Sequence, residues 1–453
     1  MKRDLIQAAM VVVVTAIVYL SSPVYIFGDS QFTLLLGHNI LRHGDLRLDE
    51  YLAQPLDPRL LRYRPSNRIY QIATIDGHSY YAFPMGSSVL SIPFIPIFNA
   101  FGWSAVRPDG GYDLDGELAM QRRLASLLMA CLAGVFFWTA RIVLPSSWSL
   151  VVALGGALGT QVWSTASRVL WSHTWGLLLL GLLLLLLVAS ERRQVRVNPF
   201  LLATLLSWMY FVRPVHVITI VTVSAYLLVR KYDRKWFFCY AITGVAWLLA
   251  FVACSYHFFD RAFPPYYLHG GFDLKTTLPV LKSYVQRGVL HLLSPSRGLF
   301  VYVPVVPFIG YLLVVYRRTL PSVLLTALGI INLVALGILV SGFRHWWGGH
   351  SYGPRLLIEA VPWLVLLAIM GIAGMQGRPR RLRVECAVGA MLLILSVAIH
   401  ARGALSWDTV IWNYVPIDVD RRPQRLWDWR DAQMLAGMIR PLGSDAEIFD
   451  PRR

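Results

Sequence analysis

The chain contains 453 residues, of which 56% are hydrophobic, and its formal net charge is +17. Hydrophobicity at this level excludes an ordinary soluble protein of this length and predicts one embedded in a membrane. The net charge could suggest nucleic-acid binding, but the basic residues lie in short clusters between apolar runs, at 192–196, 230–235, 317–318 and 378–383. Clusters so placed are typical of the cytoplasmic loops of membrane proteins, so we reject nucleic acid as a partner.

Apolar runs recur along the chain until about residue 400. Runs of this kind predict an all-α polytopic membrane protein with about eleven to twelve transmembrane helices. The predicted spans lie at 5–27, 124–144, 149–165, 175–189, 199–212, 215–229, 236–258, 299–316, 320–340, 354–375 and 384–400.

The topology follows from the positions of the basic residues. Lys2 and Arg3 precede the first run, so this run should begin in the cytoplasm and end on the extracytoplasmic side. A cleaved signal peptide is the alternative, but the run is long and lacks a clear small-x-small cleavage site. Residues 1–400 then form the transmembrane domain. The segments predicted to face outward are a first loop at 28–81 with amphipathic helices, loops at 259–298 and 341–353, and a C-terminal tail at 401–453.

The stretch 82–101 does not fit this topology as a simple crossing. The first run ends outside, and the run at 124–144 must also begin outside. Three prolines, Pro84, Pro93 and Pro96, interrupt the stretch, and proline breaks a helix. We therefore predict that it is re-entrant or peripheral, beside other helices that satisfy its free carbonyl groups.

The motif Gly28-Asp29-Ser30 follows the first apolar run directly. Asp29 is therefore predicted at the extracytoplasmic mouth of the first membrane helix. A carboxylate held near hydrocarbon costs free energy, which makes Asp29 a candidate functional residue. The alternative is that Asp29 caps the amphipathic helix that follows, since this sequence also suits an N-cap.

Three further motifs lie in predicted outward-facing segments, at Tyr80–Ser88, Leu293–Phe300 and Trp346–Arg355. Together with the first-loop acidic motif, they make the chain resemble GT-C-type integral membrane glycosyltransferases. Within that group it is most similar to bacterial relatives of protein O-mannosyltransferase and aminoarabinose transferase. The resemblance covers nearly the whole chain in hydropathy.

The resemblance implies an enzyme of the bacterial inner membrane whose active site faces the periplasm. Its donor would be a sugar linked to polyprenyl phosphate, transferred with inversion to an envelope glycan, lipid or protein. Asp29 matches the family's first-loop catalytic carboxylate, and Arg122 or Arg123 its outer-face arginine. His173 stands where many relatives have a second aspartate. Relatives often have two adjacent acids in the first loop, whereas this chain has only Asp29; a divalent metal is possible, but we assign no ligands to it.

The chemistry can also be argued from the residues. A sugar hydroxyl needs a base, and Asp29, desolvated at the membrane mouth, is expected to have a raised pKa. The leaving phosphate needs positive charge, which arginine supplies as a fixed fork. The candidates for phosphate are Arg122, Arg213, Arg297, Arg344 and Arg355, and those for lining the sugar or lipid path are Tyr81, His173, His345, Trp346 and Trp347.

Each of these candidates also has a structural interpretation. Outward-facing arginines often anchor lipid headgroups, and a Trp-Trp pair at a helix end is often part of an interfacial belt. The two histidines could be structural.

Two other classes of function remain open. A transporter or flippase of a lipid-linked glycan would use the same arginines but would not need Asp29, and a membrane scaffold would need neither. The long polar first loop favours the enzyme. The sequence contains no Walker loop and no GxGxxG fingerprint, which argues against a nucleotide-fuelled cytoplasmic reaction.

Overall fold

A computed structural model describes residues 2–60, 69–193, 196–268, 278–376 and 382–439. Parts of the segments discussed above lie outside these described residues: 61–68 of the first loop, 194–195 and 378–381 of the basic clusters, 269–277 of the loop after residue 258, and the end of the tail at 440–453.

Helices make up most of the described chain, which confirms the all-α prediction. The helices are α1 Lys2–Ser21, α2 Thr33–His43, α3 Asp49–Leu52, α4 Gly86–Ser91, α5 Ile95–Ala100, α6 Leu114–Arg141, α7 Ser146–Leu158, α8 Ser172–Arg193, α9 Pro199–Val212, α10 Val217–Val229, α11 Arg234–Phe259, α12 Pro265–Leu268, α13 Leu278–Leu293, α14 Leu299–Tyr302, α15 Val305–Val315, α16 Val323–Ser341, α17 Ala360–Gln376, α18 Leu382–Leu405 and α19 Asp408–Ile411.

Among the described residues, six helices are long and apolar enough to cross a membrane: α1, α6, α8, α11, α16 and α18. The other predicted spans coincide with shorter apolar helices of 10–17 residues, such as α7, α9 and α17. The membrane-type helical fold is therefore as predicted, while the number of eleven to twelve crossings stays a prediction.

The first loop contains a β-hairpin in addition to helices. Strand β1 (Ile72–Ile75) pairs antiparallel with β2 (His78–Tyr81), in a register that places Ile75 opposite His78. Asp76 and Gly77 form the turn, with φ of 50° and 82°. Positive φ at both central residues is the requirement of a type I′ turn, which Asp-Gly satisfies best. The prediction of amphipathic helices alone for 28–81 missed this signal.

A buried carboxylate from α6 caps helix α2. Glu117 accepts hydrogen bonds from the backbone N–H groups of Phe32, Leu34 and Leu35, at 2.9, 2.6 and 3.3 Å. It also accepts one from the Tyr112 hydroxyl at 2.5 Å. Helix N-termini leave such N–H groups without partners, and a negative charge there is favourable. Asp29 therefore does not serve as the cap that was its alternative interpretation.

The helical bundle has two chemically different ends. Gln121 donates to the Ser30 carbonyl at 2.7 Å and accepts from the Leu170 backbone at 3.2 Å, so α6 and α8 both begin near Asp29. We call this the site end. The opposite end, which we call the basic end, contains the last residues of α6 and α8, including Arg192 and Arg193. Asp4 of α1 accepts from Arg141 of α6 there, at 2.8 Å.

The predicted irregular stretch 82–101 forms α4 and α5, joined by a short 3₁₀ turn at 92–94. The apolar helical segment Gly86–Ala100 would rise about 22 Å at 1.5 Å per residue, less than the roughly 30 Å hydrocarbon core of a bilayer. Helix α4 packs against α2, α8 and α9. This arrangement agrees with a re-entrant or peripheral element.

We predict that Glu117→Ala lowers the free energy of unfolding by about 3 kcal/mol, because it leaves buried backbone N–H groups without acceptors. Glu117→Gln, which retains one acceptor oxygen, should have a smaller effect. Thermal unfolding of the detergent-solubilised protein measures both. The matched control is Glu50→Ala, which removes an exposed glutamate of α3. Equal melting temperatures for Glu117→Ala and Glu50→Ala would contradict the capping role.

Candidate functional site

A cavity of about 820 Å³ lies at the site end of the bundle. Its lining joins the first loop and the start of α4 to the start of α8, the residue after α9, helix α12, the segment 343–356 and the C-terminal tail. The predicted residues among its lining are Asp29, Tyr81, Arg213, His345 and Arg355, and other polar or aromatic ones are Arg59, Tyr70, Trp171, Tyr266, His350, Tyr414 and Asp420.

Side chains from three elements fix the backbone around Asp29. Gln71 donates to the Gly28 carbonyl at 2.9 Å, and Tyr81 donates to the Asp29 carbonyl at 2.5 Å. The bond from Gln121 to Ser30 holds the other side. Asp29 is thus placed by the hairpin and by α6, and not by the helix that precedes it.

The Asp29 carboxylate is half-buried and paired. Oδ1 accepts a hydrogen bond from the Tyr70 hydroxyl at 2.8 Å, and Oδ2 forms an ion pair with the guanidinium of Arg355. Burial alone would raise the pKa of Asp29, but the charge and hydrogen bond of Arg355, with the hydrogen bond of Tyr70, outweigh it and lower the pKa below its usual 3.8. The predicted raised pKa is therefore wrong, because the sequence did not reveal the cationic partner.

Three contacts hold Arg355 in place. Besides Asp29, it donates from Nη1 to the Gly348 carbonyl at 3.1 Å. Its guanidinium carbon lies 3.4 Å from the centroid of the Trp171 indole ring. Such a cation–π contact orients the plane of the guanidinium. Trp171, immediately before α8, is a site residue that the sequence reasoning missed.

The second arginine of the cavity, Arg213, forms an ion pair with a buried acid. Its Nε lies 2.6 Å from Oε1 of Glu359, and its Nη1 donates to the Ser172 hydroxyl at 3.1 Å. Nδ1 of His173 lies 2.6 Å from the same Glu359 oxygen. His173 is fully buried, so it supports this pair from behind the cavity wall, which matches its structural interpretation. Glu359 was missed, although an acid inside a predicted span, here 354–375, is a signal of a functional residue.

A close backbone contact fixes the position of Arg213. Gly86, at the start of α4, lies so near the end of α9 that a Cβ atom there would be 2.6 Å from the Phe211 carbonyl and the Val212 nitrogen. Only glycine fits such an approach. The first residue of α4 and the residue before Arg213 are therefore in van der Waals contact through their backbones.

Arg297 lies outside the cavity and joins the loops around it. It is 1% exposed, and it donates to the carbonyls of Ser296, Trp347 and Gly349 at 2.7, 2.9 and 3.2 Å. Two amide oxygens of the tail also accept from it: Gln433 at 2.5 Å and Asn413 at 2.9 Å. Burial lowers its pKa to about 10, so it remains charged at neutral pH. These contacts indicate that Arg297 has a structural role.

The remaining predicted residues lie away from the cavity or at its margin. His345 is exposed and lines the cavity. Arg344 is also exposed but is not among the residues that line the cavity. Arg122 donates to the Ser22 carbonyl at 3.2 Å and lies 5.2 Å from the Tyr25 ring centroid. Trp346 and Trp347 are buried against the tail, in a cluster with Trp412, Val419 and Leu426, and do not form an exposed belt.

The tail contributes polar groups to the cavity wall. Tyr414 and Asp420 line it, next to His350. The Trp347 indole N–H donates to Asp420 Oδ1 at 2.7 Å, and the His350 and Tyr414 rings stack at 4.4 Å between centroids. The tail was predicted only to face outward, so Asp420 adds chemistry that the sequence reasoning did not assign to it.

A second cavity, of about 900 Å³, adjoins the first. Both are lined by Tyr70, Phe83, Arg213, Tyr266 and Phe343. The rest of the second lining is mainly apolar and aromatic, with Asp76 and Arg261 among it, and it reaches Val217 of α10 and Leu339 of α16. The first cavity therefore continues into a more apolar one, and Arg213 lines both.

Comparison with models of known protein families finds no match, and a search of curated protein sequences finds no match either. The resemblance to GT-C enzymes accordingly rests on the residues and motifs of this chain, and the site is interpreted from its own geometry.

We predict that Arg297→Met lowers the free energy of unfolding by about 3 kcal/mol or more, because it removes a buried guanidinium that donates five hydrogen bonds to carbonyl and amide oxygens. Arg297→Lys should also destabilise the protein, since an ammonium lacks the planar fork. Thermal unfolding in detergent gives the stability, and limited proteolysis should show faster cleavage within 406–439. The control is Arg422→Met, an exposed arginine of the tail. Wild-type melting and proteolysis of Arg297→Met would contradict this role.

Proposed function

We propose that this protein is a GT-C-like glycosyltransferase of a bacterial inner membrane. It would transfer a sugar from polyprenyl phosphate to an envelope glycan, lipid or protein, with the site end facing the periplasm. One observation carries the proposal: Asp29, Arg213 and Arg355 line one cavity that continues into a second, more apolar one. A base, two phosphate-binding groups and space for a lipid are what this reaction requires.

Asp29 supplies the base in this mechanism. An acceptor hydroxyl lies against the carboxylate and attacks the anomeric carbon of the donor sugar. The new C–O bond forms as the bond between that carbon and the phosphate oxygen breaks, and the hydroxyl proton passes to Asp29. A single displacement of this kind inverts the anomeric carbon. The lipid phosphate leaves with the negative charge, which the arginines stabilise.

The ion pairs of the cavity fit an anionic donor. Phosphate oxygens offer a guanidinium the same bidentate geometry as a carboxylate does. A donor phosphate beside Arg355 therefore competes with Asp29 for this partner and releases Oδ2 for the acceptor. Tyr70 still donates to Oδ1, at 2.8 Å, and keeps the carboxylate oriented.

The lipid part of the donor fits the second cavity. Arg213 lies in the lining of both chambers, so a phosphate bound there would have the sugar on the Asp29 side and the polyprenyl chain on the other. That chain would extend toward Val217 and Leu339, which belong to apolar helices. Val217 is 45% exposed, so this path reaches the surface of the bundle where lipid would lie.

We predict that Asp29→Asn lowers the rate of sugar transfer at least about 100-fold, because a positioned general base contributes a factor of this order. The assay uses purified protein in nanodiscs, with a panel of polyprenyl-phosphate sugars and envelope-glycan acceptors. The amide retains the shape of the side chain, and donor binding by the variant is measured separately. Asp109→Asn, an exposed aspartate outside both cavities, is the control.

The outcomes of this assay separate the candidate functions. Transfer by the wild type that is lost in Asp29→Asn supports the enzyme and its base. Full activity in Asp29→Asn would remove Asp29 from this role. Donor binding without transfer to any acceptor would favour the transporter or flippase, for which the carboxylate is not needed.

We also predict how the rate depends on pH. Because the pKa of Asp29 is lowered below 3.8, the carboxylate is already ionised above about pH 5. Protonation of Asp29 should therefore not slow transfer between about pH 8 and pH 5, and the rate should fall only below about pH 4. A pH–rate profile of kcat/KM measures this. An acidic limb centred at about pH 6 that Asp29→Asn abolishes would show that Asp29 has a raised pKa instead.

A further inference from the structure

Three potential metal ligands converge beside the cavity. Nε2 of His350 lies 2.9 Å from Oδ2 of Asp418, and Nδ1 of the same ring lies 3.6 Å from Oδ2 of Asp420. One ligand atom from each residue can be chosen so that all lie within 4.8 Å of one another. The residues come from two separate segments, the loop before α17 and the tail after α19.

We propose that His350, Asp418 and Asp420 bind a divalent transition-metal ion of the Mn²⁺ or Zn²⁺ type in the wall of the cavity. Imidazole nitrogen suits Zn²⁺ and similar ions, and carboxylate oxygen suits Mn²⁺, so a mixed set of one nitrogen and two oxygens selects ions that accept both. Metal–ligand bonds of about 2.1 Å place neighbouring ligand atoms about 3 Å apart in octahedral and about 3.4 Å apart in tetrahedral coordination. Nε2 of His350 and Oδ2 of Asp418 are 2.9 Å apart, within about 0.5 Å of both values.

The surroundings hold these ligands as a metal site requires. The indole of Trp347 donates to Oδ1 of Asp420, which leaves Oδ2 for an ion. The backbone N–H of Asp420 donates in the same way to Oδ1 of Asp418, at 2.8 Å. Val419, between the two aspartates, is fully buried and anchors them. Hydrogen bonds to the outer oxygens of ligating carboxylates orient such ligands and strengthen binding.

The stacked contact with Tyr414 fixes the third ligand. The His350 and Tyr414 rings lie 4.4 Å apart and within 6° of parallel, so the imidazole cannot turn freely about its χ2 angle. A ligand that is already oriented loses little conformational entropy on binding.

The position of the cluster indicates what the ion can do. His350 and Asp420 line the same cavity as Asp29 and Arg355. An ion held by three protein ligands would have further coordination positions for water or an anionic oxygen. Binding of the ion does not depend on the proposed function. Its use there, to hold phosphate oxygens of the donor, does rest on that function.

The test is direct titration of the full-length protein in detergent. Protein stripped with EDTA is titrated with Mn²⁺ at neutral pH, and the free ion is measured by electron paramagnetic resonance. Zn²⁺ is tested by competition. We expect one tight site per chain. His350→Gln and Asp420→Asn should each weaken binding by about tenfold or more, and Trp347→Phe, which removes the supporting hydrogen bond together with part of a buried ring, by about tenfold.

Matched controls make the result specific. His345→Gln changes another histidine of the same cavity, and Asp29→Asn changes its first-loop carboxylate. Both should bind Mn²⁺ as the wild type does. Size-exclusion chromatography and thermal unfolding show whether each variant is folded.

Two results would overturn the proposal. One is the absence of a tight site for either ion in the wild type, which would leave an imidazolium held by two carboxylates. The other is unchanged binding in folded His350→Gln and Asp420→Asn. If the protein binds the metal but transfers no sugar, the metal site stands and only the proposed function is contradicted. The failure of one proposal can therefore be distinguished from the failure of the other.

Discussion

A single buried guanidinium holds together the loops that form one side of the cavity. Arg297 has no carboxylate partner among its hydrogen bonds in the described residues, and its acceptors are carbonyl and amide oxygens from three segments. A charge buried in this way costs several kcal/mol unless hydrogen bonds satisfy it. The loops must therefore approach together, because each supplies only part of the solvation that the cation needs. The shape of the cavity wall depends on this convergence.

The charged side chains that face the cavity are held by ion pairs, whereas Arg297 is held by carbonyl and amide oxygens. Arg355 is paired with Asp29, and Arg213 with Glu359. Each pair joins segments that are far apart in the chain, and each includes one group that remains accessible from the cavity. Paired charges keep their geometry in the empty site, so a ligand meets groups that are already oriented. This preorganisation is what electrostatic stabilisation of a leaving group requires.

The sequence was sufficient for the features that depend on hydropathy and on the direction of the helices. It predicted an all-α membrane-type fold, and it grouped Asp29, Tyr81, Arg213, His345 and Arg355 on one side, where the structure brings them into one cavity. Alternating spans place every second connection at the same end, which accounts for these five residues. No knowledge of which helices touch was needed for this grouping. The other six predicted residues do not line the cavity: Arg122, His173, Arg297, Arg344, Trp346 and Trp347.

The features that the sequence did not predict depend on which segments are neighbours. The sign of the Asp29 pKa shift was wrong because Arg355 follows 326 residues later and nothing local identifies it as the partner. The positions of Arg297 among backbone carbonyls and of Trp347 beside Asp420 were missed for the same reason. The local sequence does not identify their partners. The hairpin at 72–81 is different: its Asp-Gly turn was a local signal, outweighed by the helical spacing of the residues before it.

The contact at Gly86 means that the spacing between α4 and α9 depends on the absence of a side chain at this position. Helix α4 begins where α9 ends, with no side chain between them, and Arg213 is the next residue but one after the Phe211 carbonyl. A methyl group at position 86 would have to push the two helices apart. Because Arg213 lines both cavities, this displacement would change the passage between them. A substitution at position 86 can thus change the width of this passage, although residue 86 lines neither cavity.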